Sequence, residues 1–430
     1  MKFNEYKHLD LTKIAEEILA FWKAANIFEQ SITSREGAIP FVFFEGPPSA
    51  NGVPGIHHVM ARSIKDIFCR YKTQKGFQVK RKAGWDTHGL PVELGVEKEL
   101  GITKEDIGKK ISVEDYNKSC KEAVMRYTDI WNDLTEKIGY WVDMDDPYIT
   151  YKPKYMESVW WLLKQLYNKG LLYKGYTIQP YSPKAGTGLS SHELNQPGCY
   201  RDVSDTTVVA QFKVKSLSAT ASKALGAPTE PIHILAWTTT PWTLPSNTAL
   251  AVGKEIEYVL VKTYNQYTFE PITIIIGKPL LAKQFGKKFV EGDAVALAAY
   301  TPESKTLPYQ IIGECKGADL VGTAYEQLIP WCAPAENADQ AFRVIAGDFV
   351  TTDDGTGIVH IAPTFGADDA RVAKEYGVPP MLVKDAHGNL IPLVDLQGKF
   401  ITGHNIPEAF AGKYIKNEYY DAGQAPEKSW

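Results

Sequence analysis

The sequence predicts an α/β protein: the opening unit of a doubly wound parallel sheet, with a mainly β second domain inserted after it. Three observations predict this. A short apolar run stops at a Gly/Pro-rich loop and is followed by a helical period and a further strand, which is how a strand–helix–strand crossover begins. Beyond residue 200 the helical period fades and short β-rich segments alternate with turn residues. The 430 residues also suit about two or three domains at roughly 150 residues each.

The elements follow in order. Leu11, Ile14, Ala15, Ile18, Leu19 and Trp22 line one face of an amphipathic helix over residues 11–28. Phe41-Val42-Phe43-Phe44 reads as a buried strand that ends at Glu45-Gly46-Pro47-Pro48. Met60, Ile64, Ile67, Phe68 and Tyr71 make the apolar face of a helix that Gly76 stops, and Phe77 to Val79 starts the next strand. Ser112-Val113-Glu114-Asp115 resembles a capping box, opening a helix that carries Tyr116, Cys120, Val124, Tyr127, Trp131 and Leu134. Pro153 starts a helix that Gly170 ends; its Trp160, Trp161, Leu163 and Tyr167 are expected in the core. The β-rich segments are Val208–Val214, Ile232–Trp237, Ile256–Val261 and Ile272–Ile276. Residues 417–430 read as a polar, untethered end.

Composition bounds the function. Hydrophobic residues are 44% and charged residues 23%, ordinary for a globular chain that buries more than one core. Lys+Arg 47 against Asp+Glu 51 leaves −4, which excludes a histone-like mode of holding a polyanion but not a local patch. Five dispersed cysteines and no CxxC pair argue against a disulfide framework or a zinc knuckle. The charged N-terminus lacks a secretion signal's apolar core, so a soluble cytoplasmic protein is expected.

Two stretches in the first domain combine residues suited to chemistry. The loop Gly46-Pro47-Pro48-Ser49-Ala50-Asn51-Gly52-Val53-Pro54-Gly55-Ile56-His57-His58 lies between a strand and a helix start. Backbone N–H groups there suit phosphate, glycines let a ligand approach, and a histidine can donate to a phosphate oxygen. A Pro/Gly connector with exposed histidines is the plain alternative. Gly84-Trp85-Asp86-Thr87-His88-Gly89 follows the second strand. An Asp at a strand's carboxyl end sits where open α/β sheets bind ligands and suits an ammonium; a capping Asp beside a packed Trp is the alternative.

Together these stretches resemble the class I aminoacyl-tRNA synthetases, and their isoleucyl branch in particular. PPSANGVPGIHH is similar to that branch's PPxANGxxHxGH signature, and GWDTHGLPVE to its amino-acid-binding segment. Ala236-Trp237-Thr238-Thr239-Thr240-Pro241-Trp242-Thr243-Leu244-Pro245-Ser246-Asn247 and Gly355-Thr356-Gly357-Ile358-Val359-His360-Ile361-Ala362-Pro363-Thr364-Phe365-Gly366-Ala367-Asp368-Asp369 resemble its two editing motifs. The resemblance covers residues 1–415. It implies the N-terminal helix and first half of a Rossmann-like nucleotide-binding fold over 1–195, an inserted editing domain over 196–405, and an end at 406–430 before the rest of the catalytic domain.

The resemblance also implies roles. Gly46, Pro47 and Asp86 would hold the amino acid, and Pro48, Asn51, Gly52, Gly55, His57 and His58 would face ATP, used with Mg2+. Thr238, Thr239, Thr240, Asn247, His360 and Asp369 would form the editing pocket. The implied partners are isoleucine, valine and tRNA(Ile). A pocket rejects a substrate short by one methylene by only about 1–3 kcal/mol, for which isoleucyl-tRNA synthetase is itself the standing example. A second site that admits valine and hydrolyses its ester then restores accuracy. No Ser-His-Asp or Cys-His set is evident, so a positioned water is the expected nucleophile.

Three departures qualify this. Glycine stands at position 55, where the signature has its first histidine, and His57 where it has glycine. Ser182 and Ala185 occupy the cysteine positions of the relatives' CPxC knuckle, so no structural zinc is expected. No KMSKS-like word or anticodon-binding domain is present, so editing is the activity expected here, unless a second chain completes the synthetic site. A stand-alone deacylase and an inert tRNA- or protein-binding module are the alternatives. Between Arg62 and Lys82, eight basic residues face only Asp66, which reads as a solvated helix face or a tRNA contact.

Overall fold

A computed structural model describes residues 8–174, 177–202 and 206–420. Residues 421–430 of the expected polar end therefore lie outside the described residues. The chain divides into two compact units, Met1–Gly175 and Tyr176–Trp430.

The first unit is α/β. Its elements are α1 (Leu11–Ala24), α2 (Ile27–Thr33), β1 (Pro40–Phe44), α3 (Ile56–Gln74), β2 (Gln78–Trp85), α4 (Leu90–Leu100), α5 (Val113–Val124), α6 (Thr128–Lys137), β3 (Asp143–Ile149) and α7 (Pro153–Asn168). The strands form one parallel sheet in the order β1-β2-β3, with α3 and then α4–α6 as the crossovers. The first helix is broken at Asn26, which adopts φ 48° and lets α2 turn away. The helix expected through Trp131 is likewise two: α5 ends at Val124, and Tyr127 gives its N–H to the Ala50 carbonyl before α6 starts.

Several apolar faces are not buried as expected. Phe41 and Phe43 are half-buried, but Val42 and Phe44, on the other face of the sheet, are exposed. On α3 the residues turned inward are Arg62, Cys69 and Thr73, while Met60, Ile64, Ile67, Phe68 and Tyr71 face outward. Arg62 substitutes for an apolar contact: its guanidinium lies 4.8 Å from the Trp131 ring centre, 5.9 Å from that of Tyr140, and donates to Thr135. No residue of α7 is buried, and Trp160 and Trp161 are 65% and 63% exposed, so the expectation that they are core fails.

The second unit is mainly β. A small hairpin, β4 (Tyr181–Ser182) and β5 (Thr187–Gly188), precedes α8 (Ser191–Leu194). Then come β6 (Val208–Ser216), α9 (Ala219–Ala224), β7 (Ile232–Thr238), β8 (Ala249–Val252), β9 (Glu257–Tyr264), β10 (Pro271–Gly277), α10 (Leu281–Phe285), β11 (Phe289–Glu291), α11 (Ala294–Ala298) and β12 (Leu307–Lys316). After α12 (Gly317–Leu320) follow β13 (Ala324–Tyr325), β14 (Arg343–Ala346), β15 (Ile358–Ile361), α13 (Ala367–Glu375), β16 (Leu382–Lys384) and β17 (Leu390–Pro392).

Ten of these strands form one sheet, in the order β11-β12-β9-β10-β7-β6-β13-β14-β8-β15. Strand β15 nonetheless packs against β7, so the sheet curls and brings its last strand back beside its fifth. The interior holds Phe212, Ile234, Leu250, Tyr258, Leu260, Ile275 and Leu320, all essentially inaccessible. The four β-rich segments expected from sequence are β6, β7, β9 and β10, each within a few residues of its expected ends.

Candidate functional sites

In the second unit, a cavity of about 600 Å3 opens where β7 runs into the turn at residues 238–243 and β15 into the loop before α13. Thr238, Thr239, Thr240, His360 and Asp369 all line it, with Trp237, Trp242 and Thr243. The strand's alternation turns Thr238 inward and Thr239 outward. Pro241 then opens a short 3-10 turn that carries Thr243 under the cavity floor. Across from it, Gly355 and Gly357 adopt φ 75° and 73°. A Cβ on Gly355 would sit 2.9 Å from the Trp237 ring, so only glycine lets this loop close on the strand.

Polar groups in the wall are mutually engaged. Thr240 N–H donates to Thr238 Oγ1 at 3.0 Å, and Thr243 Oγ1 donates to the Thr240 carbonyl at 2.7 Å. His360 Nε2 is 2.9 Å from Thr243 Oγ1, and the ring is 7% exposed. Burial pushes its pKa down to about 4, so the ring is neutral near pH 7. Thr239, by contrast, is exposed.

Asp369 stands in the first turn of α13 and accepts the Ala362 N–H at 2.8 Å. A Cβ on Gly366 would lie 2.7 Å from its Cγ, so the glycine gives the carboxylate room. No Lys or Arg forms an ion pair with it among the described residues. Burial, and then the neighbouring Asp368 carboxylate, raise its pKa. An uncompensated, half-buried carboxylate in a cavity wall suits an incoming ammonium.

Asn247 stands apart from these. Its amide donates to the Ala249 carbonyl at 2.8 Å, its Oδ1 accepts from Tyr325 at 2.7 Å, and it does not line the cavity. Its polar atoms tie β8 to the buried Tyr325 instead of facing a ligand.

In the first unit the two motif stretches meet. Asp86 N–H donates to the Pro48 carbonyl at 2.9 Å, and Ser49 Oγ donates to the Asp86 carbonyl at 2.9 Å. The Asp86 carboxylate lies just beyond β2, half-buried, with Oδ1 3.4 Å from the His88 N–H. Ala50 is buried and Gly52 accepts from Trp131 Nε1 at 2.9 Å, so the loop is pinned along its length. Asn51 is exposed on that pinned loop, and nothing lies within 4 Å of a Cβ built on Gly52, which leaves its backbone open to approach.

Gly55 caps α3, and its N–H donates to His58 Nδ1 at 2.9 Å. His58 therefore carries its proton on Nε2, leaving that N–H as the donor for a ligand. Its pKa is lowered by burial, then by His57, Arg62 and Lys65. His57 lies against it with ring centres 3.8 Å apart. A Cβ at position 55 would meet His57 Cε1 at 2.8 Å, so glycine at 55 and histidine at 57 fit as a pair.

Two residues that sequence reasoning missed hold this loop. Glu45 is 3% exposed, with its carboxylate engaged by Lys65 and Tyr140 and its carbonyl by Tyr148. Tyr148 crosses directly over Gly84, where a Cβ would lie 2.4 Å from its ring. The signals were an acid immediately before Gly-Pro-Pro and a glycine inside a strand. Gly46 and Pro47 follow Glu45 and inherit its position. A cavity of about 1150 Å3 in this unit is lined by Trp22, Phe28, Val42, Phe44 and Trp141 and touches none of the candidate ligand-binding residues predicted from sequence.

The family model for class I tRNA synthetases (I, L, M and V) matches residues 17–373, and the chain belongs to that family. Within it the sequence lies with the isoleucine–tRNA ligases. It is 62% identical to that of Bacteroides fragilis over 431 residues, which is 97% of this chain and 37% of the relative. The Porphyromonas gingivalis enzyme is 61% identical over 98% of this chain and 37% of its own length, and the Clostridium tetani enzyme 46% over 92% and 34%. The chain thus spans little more than a third of the length of the curated relatives it matches. Among solved structures, the leucyl enzyme of Agrobacterium radiobacter, in a ternary complex with tRNA and LeuAMS, gives a TM-score of 0.30 at 16% identity. That match covers 88% of this chain and 44% of the other. No described helix is long and apolar enough to cross a membrane.

Proposed function

We propose that this chain is the editing portion of an isoleucyl-tRNA synthetase, and that its second unit hydrolyses valyl-tRNA(Ile) formed in error. The observation that carries the reading is the convergence of a neutral, buried His360, an exposed Thr239 and an unpaired Asp369 on one cavity. Asp369 takes the ammonium of the aminoacyl group. Thr239 and the backbone beside it orient the ester and a water, and His360 forms a wall instead of drawing off a proton. In domain terms, residues 1–195 are the first half of the nucleotide-binding fold and 196–405 the inserted editing domain.

The first unit is read as half of the synthetic site. Asp86 faces the isoleucine ammonium beside Gly46 and Pro47, and the His58 Nε2–H faces a phosphate of ATP bound with Mg2+, next to Pro48, Asn51, Gly52, Gly55 and His57. With 37% of a relative's length, the chain needs further polypeptide, in cis or as a second chain, to close that half-site.

The test is deacylation of valyl-tRNA(Ile) by the 430-residue chain, beside isoleucyl-tRNA(Ile) and isoleucine-dependent pyrophosphate exchange. Faster release of valine than of isoleucine, without exchange, is expected. Asp369→Asn should lower deacylation by roughly tenfold to a hundredfold, the loss of one charge-assisted contact at about 1.5–3 kcal/mol. Absence of deacylation, or an unaffected Asp369→Asn chain, overturns the reading.

A further inference from the structure

The hydroxyl row in the cavity wall can be read proton by proton. Thr243 has a single hydroxyl proton, and the Thr240 carbonyl takes it at 2.7 Å. None remains for His360 Nε2 at 2.9 Å, so the ring is the donor in that contact. Nδ1 is then a bare acceptor. It is buried and has no partner, which an unprotonated nitrogen tolerates better than an N–H does. The opposite tautomer would take the Thr243 proton from the Thr240 carbonyl and leave a buried N–H without an acceptor.

The neighbouring hydroxyls continue the row. Thr240 Oγ1 is 3.4 Å from Thr243 Oγ1 and 3.2 Å from Thr238 Oγ1, and Thr240 N–H already occupies Thr238. The one hydroxyl proton with a fixed place is that of Thr243, on the Thr240 carbonyl, which leaves Thr243 Oγ1 as an acceptor toward its other neighbours. Thr239 stands outside this chain.

We propose that Thr243 is a positioning residue of the cavity: by accepting from Nε2–H it locks His360 in one tautomer and one ring orientation, which fixes His360 as a wall and leaves Thr239 as the hydroxyl that meets the ester. This deepens the hydrolytic reading and rests on it. His360 is unable to act as a base through Nε2, which already bears a proton, or through Nδ1, which solvent does not reach. The proton of the attacking water then passes to a group of the ester substrate, with Thr239 orienting the ester.

The experiment uses the 430-residue chain with nitrogen-labelled histidine, His360→Asn identifying the resonance. A single Nε2-protonated imidazole is expected in the wild type. Thr243→Val removes the acceptor at nearly constant volume and should give mixed tautomers; Thr243→Ser should restore the wild-type pattern. Valyl-tRNA(Ile) deacylation should fall about fivefold or more in Thr243→Val and stay within about twofold in Thr243→Ser, the scale of one hydrogen bond. A wild-type ring protonated on Nδ1, or a Thr243→Val ring that stays wholly Nε2-protonated, overturns the proposal whatever the rates. A tautomer shift in a chain that deacylates nothing supports the lock and overturns the hydrolytic reading instead. Should Thr243→Val fail to fold, the wild-type tautomer still decides.

Discussion

His360 and Asp369 face the same cavity, yet burial moves their proton equilibria in ways that have opposite consequences for stability. The His360 pKa falls from 6.5 to about 4 in the folded chain. Between these values the unfolded chain binds more protons than the folded one, so stability rises with pH across that window. The contribution is complete above about pH 6.5 and lost below about pH 4, and is worth at most about 3 kcal/mol. Asp369 is raised instead. The folded chain holds its proton longer than the unfolded one, so its contribution is present at low pH and is lost as pH rises through the folded value. Urea denaturation from pH 4 to 7 should show the His360 slope, and His360→Asn should flatten it. An unchanged slope in that variant would mean that the ring titrates in the folded chain as it does in the unfolded one. Above pH 5 the neutral ring also predicts no histidine-type inflection near 6.5 in the deacylation profile.

At the scale of elements, the close crossing of β2 and β3 positions the first unit's loop. Gly84→Ala would place a methyl 2.4 Å from the Tyr148 ring, whose hydroxyl holds the Glu45 carbonyl. Overpacking of this kind costs about 1–3 kcal/mol, so a lower denaturation midpoint is expected, which the double variant with Tyr148→Leu should partly recover. That crossing also shows what was legible in the sequence. Strands β6, β7, β9 and β10 were readable because β-branched runs between turn residues carry a local signal. Asp86 at the end of β2 was readable for the same reason. The role of Gly84 was not, because it depends on a tyrosine 64 positions away, and loop glycines of every purpose look alike in sequence. The engagement of Asn247 was hidden by the same limit: its partner Tyr325 lies far along the chain. The basic run from Arg62 to Lys82 was ambiguous for a different reason. Arg62 and Arg81 are buried, and Arg70 lies 3.9 Å from the Trp141 ring centre. Charge counting does not register cations that stack on rings.

For the whole molecule, the two units differ in how completely they cover their apolar side chains. The second buries its β-branched residues on both sides of a ten-stranded sheet. The first leaves Val42 and Phe44 on β1, Ile64, Ile67 and Phe68 on α3, and Trp160, Trp161 and Leu162 on α7 exposed by more than half. Apolar patches of this kind mark surfaces that associate, and β1 adds to them an edge that no other described strand pairs. Since the α7 tryptophans are mostly exposed, replacing them should cost the fold little. The double variant Trp160→Gln, Trp161→Gln should change unfolding stability by no more than about 0.5 kcal/mol per site. It should also bind less hydrophobic dye and sediment with weaker concentration dependence. Valyl-tRNA(Ile) deacylation should be unaffected, because none of the cavity residues lies in this unit. A large loss of stability in the variant would show instead that α7 packs its tryptophans inward in solution.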